Sequence, residues 1–342
     1  MPAFAPDGHP PVAQGKTGVL LVNLGTPDGT DYWSMRRYLS EFLSDRRVIE
    51  LNPLIWQPIL QGPILTFRPS KSSAAYKKVW MDEGSPLLVY TKRQAEKLAE
   101  RIGSGQLIVD FAMNYGNPSI ASKIDALVQR GCTRIAILAL YPQYSATTTA
   151  SVHDRTFDAL KNLRWQPAVR TASPFHDHPA YIEALAGSIR DHLAGLDFKP
   201  HRVLMSYHGI PKSYFDKGDP YHCHCHKTTR MVAEQLGWEK GFAMTTFQSR
   251  FGPTQWLQPY TDKTLESLPE EGVKNLVVVS PAFISDCLET LEEIAMEGRD
   301  QFMEAGGEKF SVVPCLNDSD RAIDLLEALV RQELGGWPET GL

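Results

Sequence analysis

The sequence lacks an excess of basic residues, and it lacks long apolar runs. Its 342 residues include 35 Lys and Arg against 40 Asp and Glu, which gives a formal net charge of −5 at pH 7. A protein that binds nucleic acid needs a basic surface or stripe, and none is evident. No apolar run approaches the ~20 residues of a membrane-spanning helix. These absences argue against nucleic acid as a partner and indicate a soluble or peripheral protein.

Cysteine is scarce, and its count of 5 is odd. The N-terminus, "MPAFAPDGHPPVAQGKTG", has neither the basic start nor the apolar stretch of a secretory signal. A disulfide framework is therefore not expected, and a reducing cytoplasm fits the composition best. Residues 1–16 are interpreted as a flexible lead-in and residues 333–342 as a tail.

Several catalytic motifs are also missing, among them a phosphate-binding loop, a "GxGxxG" motif after the first strand and a nucleophile elbow. The run "YHCHCHKTTR", residues 221–230, does crowd histidine and cysteine. Zinc sites usually space two cysteines by two to four residues and add a second pair elsewhere, which is missing here. We interpret the run as a surface loop, with a structural metal or iron–sulfur site as the alternative.

Short apolar runs alternate with amphipathic segments along the rest of the chain. Runs such as "GVLLVNLGTP" and "RVLMSYHGIP" have the continuous apolar character of strands buried on both faces of a parallel sheet. Segments such as "TKRQAEKLAERI" between them have helical periodicity. The alternation predicts an α/β fold.

Three landmarks recur in the same order in the two halves of the chain. "NLGTP", "NYGNP" and "GCTRIAILALYP" in the first half parallel "YHGIP", "SRFGPT" and "GVKNLVVVSP" in the second. The preserved order predicts two similar Rossmann-like, doubly wound parallel-sheet halves, at 17–168 and 169–332. The ligand cleft is expected between them.

The stretch "ISDCLETLEEI", residues 284–294, places four carboxylates at the start of a predicted helix. At about 100° per residue, Asp286, Glu289 and Glu293 form one column. The structural alternative is a capping box formed by Asp286 and Glu289.

His208 and these acids each follow a predicted strand, and the carboxyl ends of parallel strands meet at one edge of a sheet. We therefore expect them in one crevice, although a structural hydrogen bond in a turn is the alternative role for His208. Imidazole and oxygen ligands suit Fe(II), and crowded acids exchange protons near neutral pH.

Aromatic residues gather near the same strand ends, which favours a flat, apolar ligand over a simple lid on the core. The segment 51–67 is also apolar, and we interpret it as a mobile lip over the pocket or on a membrane surface. A buried connector is the alternative. No helix of any length is expected there, because proline recurs at Pro53, Pro58, Pro63 and Pro69.

The chain resembles ferrochelatase, the terminal enzyme of haem synthesis, which inserts Fe(II) into protoporphyrin IX. The resemblance spans about residues 17–330 and rests on motifs in fixed order, namely "VLLVNLGTPD", "MNYGNPS", "YPQYSATTT", "SYHGIPKSYFDKGDPY", "FQSRFGPTQWLQPYT" and "SPAFISDCLETLEEI". It implies two Rossmann-like halves around a porphyrin cleft. It also implies a lip that covers the cleft and touches the inner face of the membrane.

The resemblance also implies roles for individual residues. His208 is similar to the family's essential histidine, which takes pyrrole protons or contacts the metal. Glu289 is similar to its catalytic acid across the macrocycle, and Asp286 and Glu293 would form an acidic path for protons or metal. The residues that would contact the porphyrin are Leu24, Tyr115, Trp256 and Phe283.

The chain also departs from the family pattern. Asn114 stands where many members have Arg, and Cys287 where many have His, so the roles of those residues cannot be carried over. The cysteine-bearing extension that holds a two-iron two-sulfur cluster in some relatives is missing, and Ala146 occupies another ligand position. We expect no iron–sulfur cluster and no required cofactor, with Fe(II) as a substrate.

Two other functions stay open at this point. One is a chelatase that acts on coproporphyrin or another tetrapyrrole with a different metal. The other is a non-catalytic haem- or siderophore-binding protein, which the acidic column argues against because desolvated carboxylates contribute nothing to binding an apolar ring.

Overall fold

Two four-stranded parallel sheets form the framework of the protein. The computed structural model describes residue 8 and residues 15–337, so most of the predicted lead-in and the end of the predicted tail lie outside the described residues. The strands are β1 (Lys16–Thr26), β2 (Leu107–Gly116), β3 (Cys132–Ala139), β4 (Ala168–Thr171), β5 (Arg202–His208), β6 (Ala243–Gln248), β7 (Asn275–Val279) and β8 (Lys309–Val312).

Helices connect the strands and cover both sheets. The α-helices are α1 (Tyr32–Ser44), α2 (Pro53–Ile59), α3 (Leu65–Val79), α4 (Pro86–Ile102), α5 (Ile120–Gln129), α6 (Ser151–Lys161), α7 (Pro179–Ala194), α8 (Lys212–Asp216), α9 (Tyr221–Gln235), α10 (Thr261–Ser267), α11 (Arg299–Glu304) and α12 (Asp320–Leu334). Three π-helical segments are π1 (Leu60–Ile64), π2 (Ala146–Ala150) and π3 (Glu289–Gly298).

The two sheets have the same strand order. The first is β2-β1-β3-β4 and the second β6-β5-β7-β8, with every pairing parallel. The three repeated landmarks therefore fall on equivalent strands, β1 with β5, β2 with β6 and β3 with β7. The predicted α/β fold with two similar halves is confirmed.

The boundary between the halves differs from the predicted one at 168/169. Strand β4 pairs with β3 and so belongs to the N-terminal sheet as far as Thr171. The missed strands β4 and β8 are short edge strands of half-buried residues, which leave no continuous apolar run. The last helix, α12, runs to Leu334, beyond the predicted tail boundary.

The halves share one core. Val19 of β1 and Val203 of β5 are fully buried in the same cluster, together with Leu98 of α4 and Leu326 of α12. Helix α12 follows the second sheet but packs on α4 of the first half and on α7. This crossing fixes the position of the two halves relative to each other and shapes the space between their strand ends.

The lip is helical, so the expectation of no helix there is wrong. Pro53 occupies the first turn of α2, where a missing N–H costs nothing. Pro58 and Pro63 limit helix length instead of preventing it, and the chain kinks at Gly62 between α2 and α3. None of the helices in the described part of the chain is long and apolar enough to cross a membrane.

Residues 221–230 are helical as well, and the surface-loop interpretation is wrong. The backbone N–H of Tyr221 donates to the Asp219 carboxylate at the start of α9, and Cys225 is fully buried on the inner face of that helix. Among the residues that the structure describes, no group of three or more His, Cys, Asp or Glu side chains could hold a metal ion.

Candidate active site

A cavity of about 580 Å³ lies between the halves at the carboxyl ends of the strands. This volume is in the range of sites that bind small molecules and cofactors. Its walls are mainly apolar and come from both halves, the lip and the loop after β3; they include Leu24, Phe42, Leu51, Trp56, Arg68, Tyr141, Thr147, Thr148, His208, Ser249, Phe251, Trp256, Phe283, Cys287 and Glu289. The expected position of the cleft is confirmed.

His208 is the last residue of β5 and lines the cavity. Its Nδ1 lies 2.7 Å from the carbonyl oxygen of Gly209, so Nδ1 donates a proton there, and in the neutral imidazole the lone pair is on Nε2. Gly209 has no Cβ, and one placed there would lie 3.1 Å from the Trp256 ring and 3.0 Å from the Gln248 carbonyl oxygen. Glycine therefore lets Trp256 pack beside the histidine.

The expected column of Asp286, Glu289 and Glu293 is formed only in part. Glu289 and Glu293 both lie in helix π3 and their charges interact, whereas Asp286 precedes the helix. The buried Glu292 carboxylate accepts from Lys78 Nζ at 2.6 Å, and Glu293 accepts from the backbone and the hydroxyl of Ser249. Glu289 is the member that lines the cavity.

Asp286 has partners of its own, away from the cavity wall. One oxygen accepts from the Thr290 hydroxyl at 2.8 Å and the other from Asn317 Nδ2 at 2.7 Å. The capping box with Glu289 is not formed, because the Asp286 N–H donates to Asn317 Oδ1, and the Thr290 hydroxyl accepts from the Cys287 N–H. Asp286 is therefore a buried anchor of this segment, and its place on an acidic path for protons or metal stays a prediction.

Burial raises the pKa of Glu293, while the Ser249 hydroxyl and the nearby His208 lower it in part. Desolvation is the largest of these effects, so Glu293 keeps its proton to a higher pH than an ordinary glutamate. Gln248 donates to both Glu293 and the carbonyl oxygen of Glu289. Gln248, the Glu293 carboxylate and the Glu289 carbonyl group form a connected polar unit directly behind the cavity wall.

His208 and Glu289 belong to the same wall. His208 ends β5, and Glu289 follows β7, its neighbour in the second sheet. The N-terminal half supplies the other wall through Leu24, Phe42 and Tyr141. The family resemblance implies an acid across the macrocycle from the histidine, whereas the sheet order places both residues on the C-terminal side.

Three of the four expected ring contacts, Leu24, Trp256 and Phe283, line the cavity, but Tyr115 does not. Tyr115 is fully buried behind Phe42, with ring centroids 5.1 Å apart. Its hydroxyl donates to Asp45 Oδ2 at 2.8 Å, and Arg155 lies over its ring. Tyr115 therefore supports the N-terminal wall of the cavity from behind Phe42.

Sequence reasoning missed Arg68, which lies in α3 at the edge of the lip and lines the cavity. Its guanidinium lies 4.6 Å from the centre of the Phe251 ring, and its buried Nη1 has no hydrogen-bond partner among the described residues. Burial lowers the pKa of Arg68, which nevertheless stays charged because guanidinium is such a strong base. The sequence feature that could have identified Arg68 is a basic residue directly after the apolar lip, residues 51–67.

The fold is that of the two-domain chelatases. The structure resembles SirB from Bacillus subtilis with Fe3+, with a TM-score of 0.58 over 94% of this chain and 96% of that one. It also resembles the sirohydrochlorin chelatase SirB from Bacillus subtilis subspecies spizizenii in complex with cobalt, with a TM-score of 0.54 over 93% and 95% of the two chains. Sequence identity is 11% in both cases, so the likeness is one of fold.

Sequence comparison identifies the family. The Ferrochelatase family model matches residues 16–334. The chain is 58% identical over 336 residues to the ferrochelatase of Agrobacterium fabrum, which covers 97% of each chain. It is also 58% identical over 332 residues to that of Rhizobium meliloti, covering 96% of this chain and 98% of the relative. The chain belongs to the ferrochelatase family.

Replacing Ser249 should raise the pKa of Glu293 further. Ser249→Gly removes the hydroxyl that donates to the charged carboxylate, keeps the backbone donor and suits the positive φ of 63° at this position. Infrared titration with isotope-labelled glutamate would show protonation of a buried glutamate at higher pH. Ser104→Gly, in an exposed loop, serves as control, and an unchanged or lowered pKa would contradict the account.

Proposed function

We propose that this protein inserts Fe(II) into protoporphyrin IX and forms protohaem with release of two protons, as the last step of haem synthesis. The observation that carries the proposal is the placement of His208 and Glu289 on one wall of an apolar cavity that is open to a flat ligand. Membership of the ferrochelatase family supports the same reaction.

The reaction exchanges charge at the centre of the ring. Two pyrrole N–H protons leave and one divalent cation enters, so the neutral macrocycle becomes a neutral metal complex. His208 Nε2 has a free lone pair, and the Glu289 carboxylate offers oxygen, so both can contact the metal or take a proton. Glu293, with its raised pKa, lies behind them as the next proton acceptor.

The apolar walls would hold the ring, with Trp256, Phe283 and Leu24 as its contacts. A pocket that grips the ring and distorts it exposes nitrogen lone pairs to the metal, which lowers the barrier to insertion. Cys287 also lines the cavity, and burial together with the charge of Glu289 raises the pKa of its thiol, so it stays protonated.

The carboxylates of the porphyrin need polar partners at the edge of the cavity. Arg68 has a buried donor that no described residue pairs with, and Lys217, also in the lining, is paired with Glu50. This small number of cations in a mainly apolar lining favours protoporphyrin IX over coproporphyrin, which carries more carboxylates. Arg68 is our candidate for a carboxylate contact.

We also propose that the protein needs no resident cofactor and holds no iron–sulfur cluster. Such a cluster takes four cysteine ligands, whereas Cys132 lies in β3, Cys223 and Cys225 lie in α9, and Cys287 and Cys315 lie near Asp286, and among the described residues no group of three or more such side chains could hold a metal ion. Iron is a substrate in this scheme. When His208 and Glu289 contact the iron, the nitrogens of the ring can supply its remaining ligands.

The lip is proposed to contact the inner face of the membrane, which places the protein in the cytoplasm at that surface. Leu54 is 86% exposed, Ile55 is 63% exposed and Phe67 is 75% exposed. Trp56 of the same helix faces inward and lines the cavity. One helix thus joins an exposed apolar surface to the substrate pocket, an arrangement that suits a substrate dissolved in lipid.

Substitution of either central residue should stop insertion without preventing porphyrin binding. His208→Ala and Glu289→Gln should each lower the rate of Fe(II) or Zn(II) insertion by about 10²-fold or more, because proton transfer and metal contact are lost. Anaerobic assays by visible absorbance measure the rate, and fluorescence quenching measures binding. His201→Ala and Glu304→Gln, both at exposed positions, are the controls. Normal turnover in either active-site variant would refute the assignment.

Arg68→Leu should weaken binding of protoporphyrin IX by about tenfold, the value expected for one lost charged hydrogen bond. Binding of the dimethyl ester should change much less, because the ester has no carboxylate to lose. Fluorescence titration of both ligands separates the two cases. Arg250→Leu, which removes an exposed cation paired with Asp262, is the control. Equal losses for acid and ester would show that Arg68 acts only through packing.

Charged residues in the lip should reduce membrane binding. The double change Leu54→Glu and Ile55→Glu should weaken sedimentation with phosphatidylethanolamine–phosphatidylglycerol vesicles by at least about tenfold, because two apolar side chains that would enter the bilayer are lost. Insertion into detergent-dispersed porphyrin should stay near normal. Phe157→Glu, at an exposed apolar site on α6, is the control. Undiminished sedimentation of the double variant would rule the lip out as the contact.

A further inference from the structure

Asn317 has an unusual backbone conformation in the loop between β8 and α12. Its φ is 51°, in the left-handed region that asparagine tolerates better than most residues. Its N–H donates to the Ile284 carbonyl at 2.8 Å, and its own carbonyl accepts from Gln94 Nε2 at 2.5 Å. The backbone of this one residue therefore contacts both the segment before π3 and helix α4 of the N-terminal half.

The side chain of Asn317 is fully engaged by Asp286. Its Oδ1 accepts from the Asp286 backbone N–H at 2.8 Å, and its Nδ2 donates to Asp286 Oδ2 at 2.7 Å. Asp286 is 7% exposed, so these bonds are shielded from water. A hydrogen bond to a buried charge is stronger than one between neutral groups, and the pair fixes both the main chain and the side chain of Asp286.

Asp286 in turn sets the start of π3. Its Oδ1 accepts from the Thr290 hydroxyl, and Thr290 lies in the first turn of that helix beside Glu289. Gln94 also donates to the Ser285 hydroxyl at 3.0 Å, so α4 is bonded both to the segment before π3 and to Asn317. Asn317 is the central residue of a buried network that joins the acid-bearing helix to the opposite half.

We propose that Asn317 is a positioning residue for metal insertion, which fixes the start of π3 through Asp286 and thereby the direction of the Glu289 carboxylate in the cavity. Asn317 itself does not line the cavity, so it acts only through these contacts. The inference rests on the proposed function for the role of Glu289. It also gives Asp286 a function that differs from an acidic path.

Asn317→Gly tests the proposal with little backbone strain. Glycine accepts the left-handed conformation and keeps both backbone hydrogen bonds, while the two bonds to Asp286 are lost. We expect kcat for insertion to fall about tenfold or more, with the Kd of porphyrin unchanged. Asn317→Asp, similar in size, places an oxygen against Asp286 Oδ2 and should lose at least as much. Asn162→Gly, whose side chain bonds an exposed carbonyl oxygen, is the control.

Normal kcat in Asn317→Gly would overturn the proposal, and so would an equal loss of porphyrin binding and kcat, since that would show a general structural role. The two hypotheses remain separable. If His208→Ala and Glu289→Gln keep their turnover, the proposed function fails. If those variants are inactive while Asn317→Gly turns over normally, only the positioning role fails.

Discussion

The structure depends on the hydrogen bonds and ion pairs made by the acidic side chains of one buried segment, residues 286–293. Four carboxylates within eight residues cannot all be desolvated together without compensation, because each buried charge needs a hydrogen bond or an opposite charge. Asp286 has Asn317 and Thr290, Glu292 has Lys78, and Glu293 has Ser249. Glu289 is left for the cavity. The crowding of acids thus produces one carboxylate that is free to act, held between others that are fixed.

These partners come from distant parts of the chain. Lys78 lies on the helix that continues the lip, Ser249 follows β6, and Asn317 lies between β8 and α12. The acid-bearing helix is therefore bonded to the lip, to its own sheet and to the opposite half. The N-terminal wall is mainly apolar, with Arg68 at its edge, while the proton-handling groups belong to the C-terminal wall. The N-terminal wall thus helps to hold the ring, and the C-terminal wall carries the groups that react at its centre.

Much of the fold could be predicted because strands buried on both faces of a parallel sheet leave continuous apolar runs. His208 and Glu289 could be placed at one edge of the sheet because the carboxyl ends of parallel strands meet there. The short edge strand β4 could not be found, because its residues are half buried and carry no such run. The lip was misjudged because proline in the first turn of a helix removes no hydrogen bond.

The finer features of the site depend on contacts that no local pattern encodes. The direction of each acid follows from π-helical geometry and from partners such as Ser249 and Asn317, both with positive φ. Tyr115 is withdrawn from the cavity because Phe42 and Asp45 of the first helix region occupy its surroundings. Arg68 lines the cavity with a buried Nη1 that has no hydrogen-bond partner among the described residues, and its burial depends on packing against Phe251.

The most direct test of the central claim is an anomalous-scattering map from crystals of the protein with protoporphyrin IX and Co(II). The account predicts a metal peak at the ring, bonded or adjacent to His208 Nε2 and the Glu289 carboxylate on the C-terminal wall. A peak on the side of Leu24 and Tyr141, or one bound by Asp286 with Glu289 turned away, would contradict it.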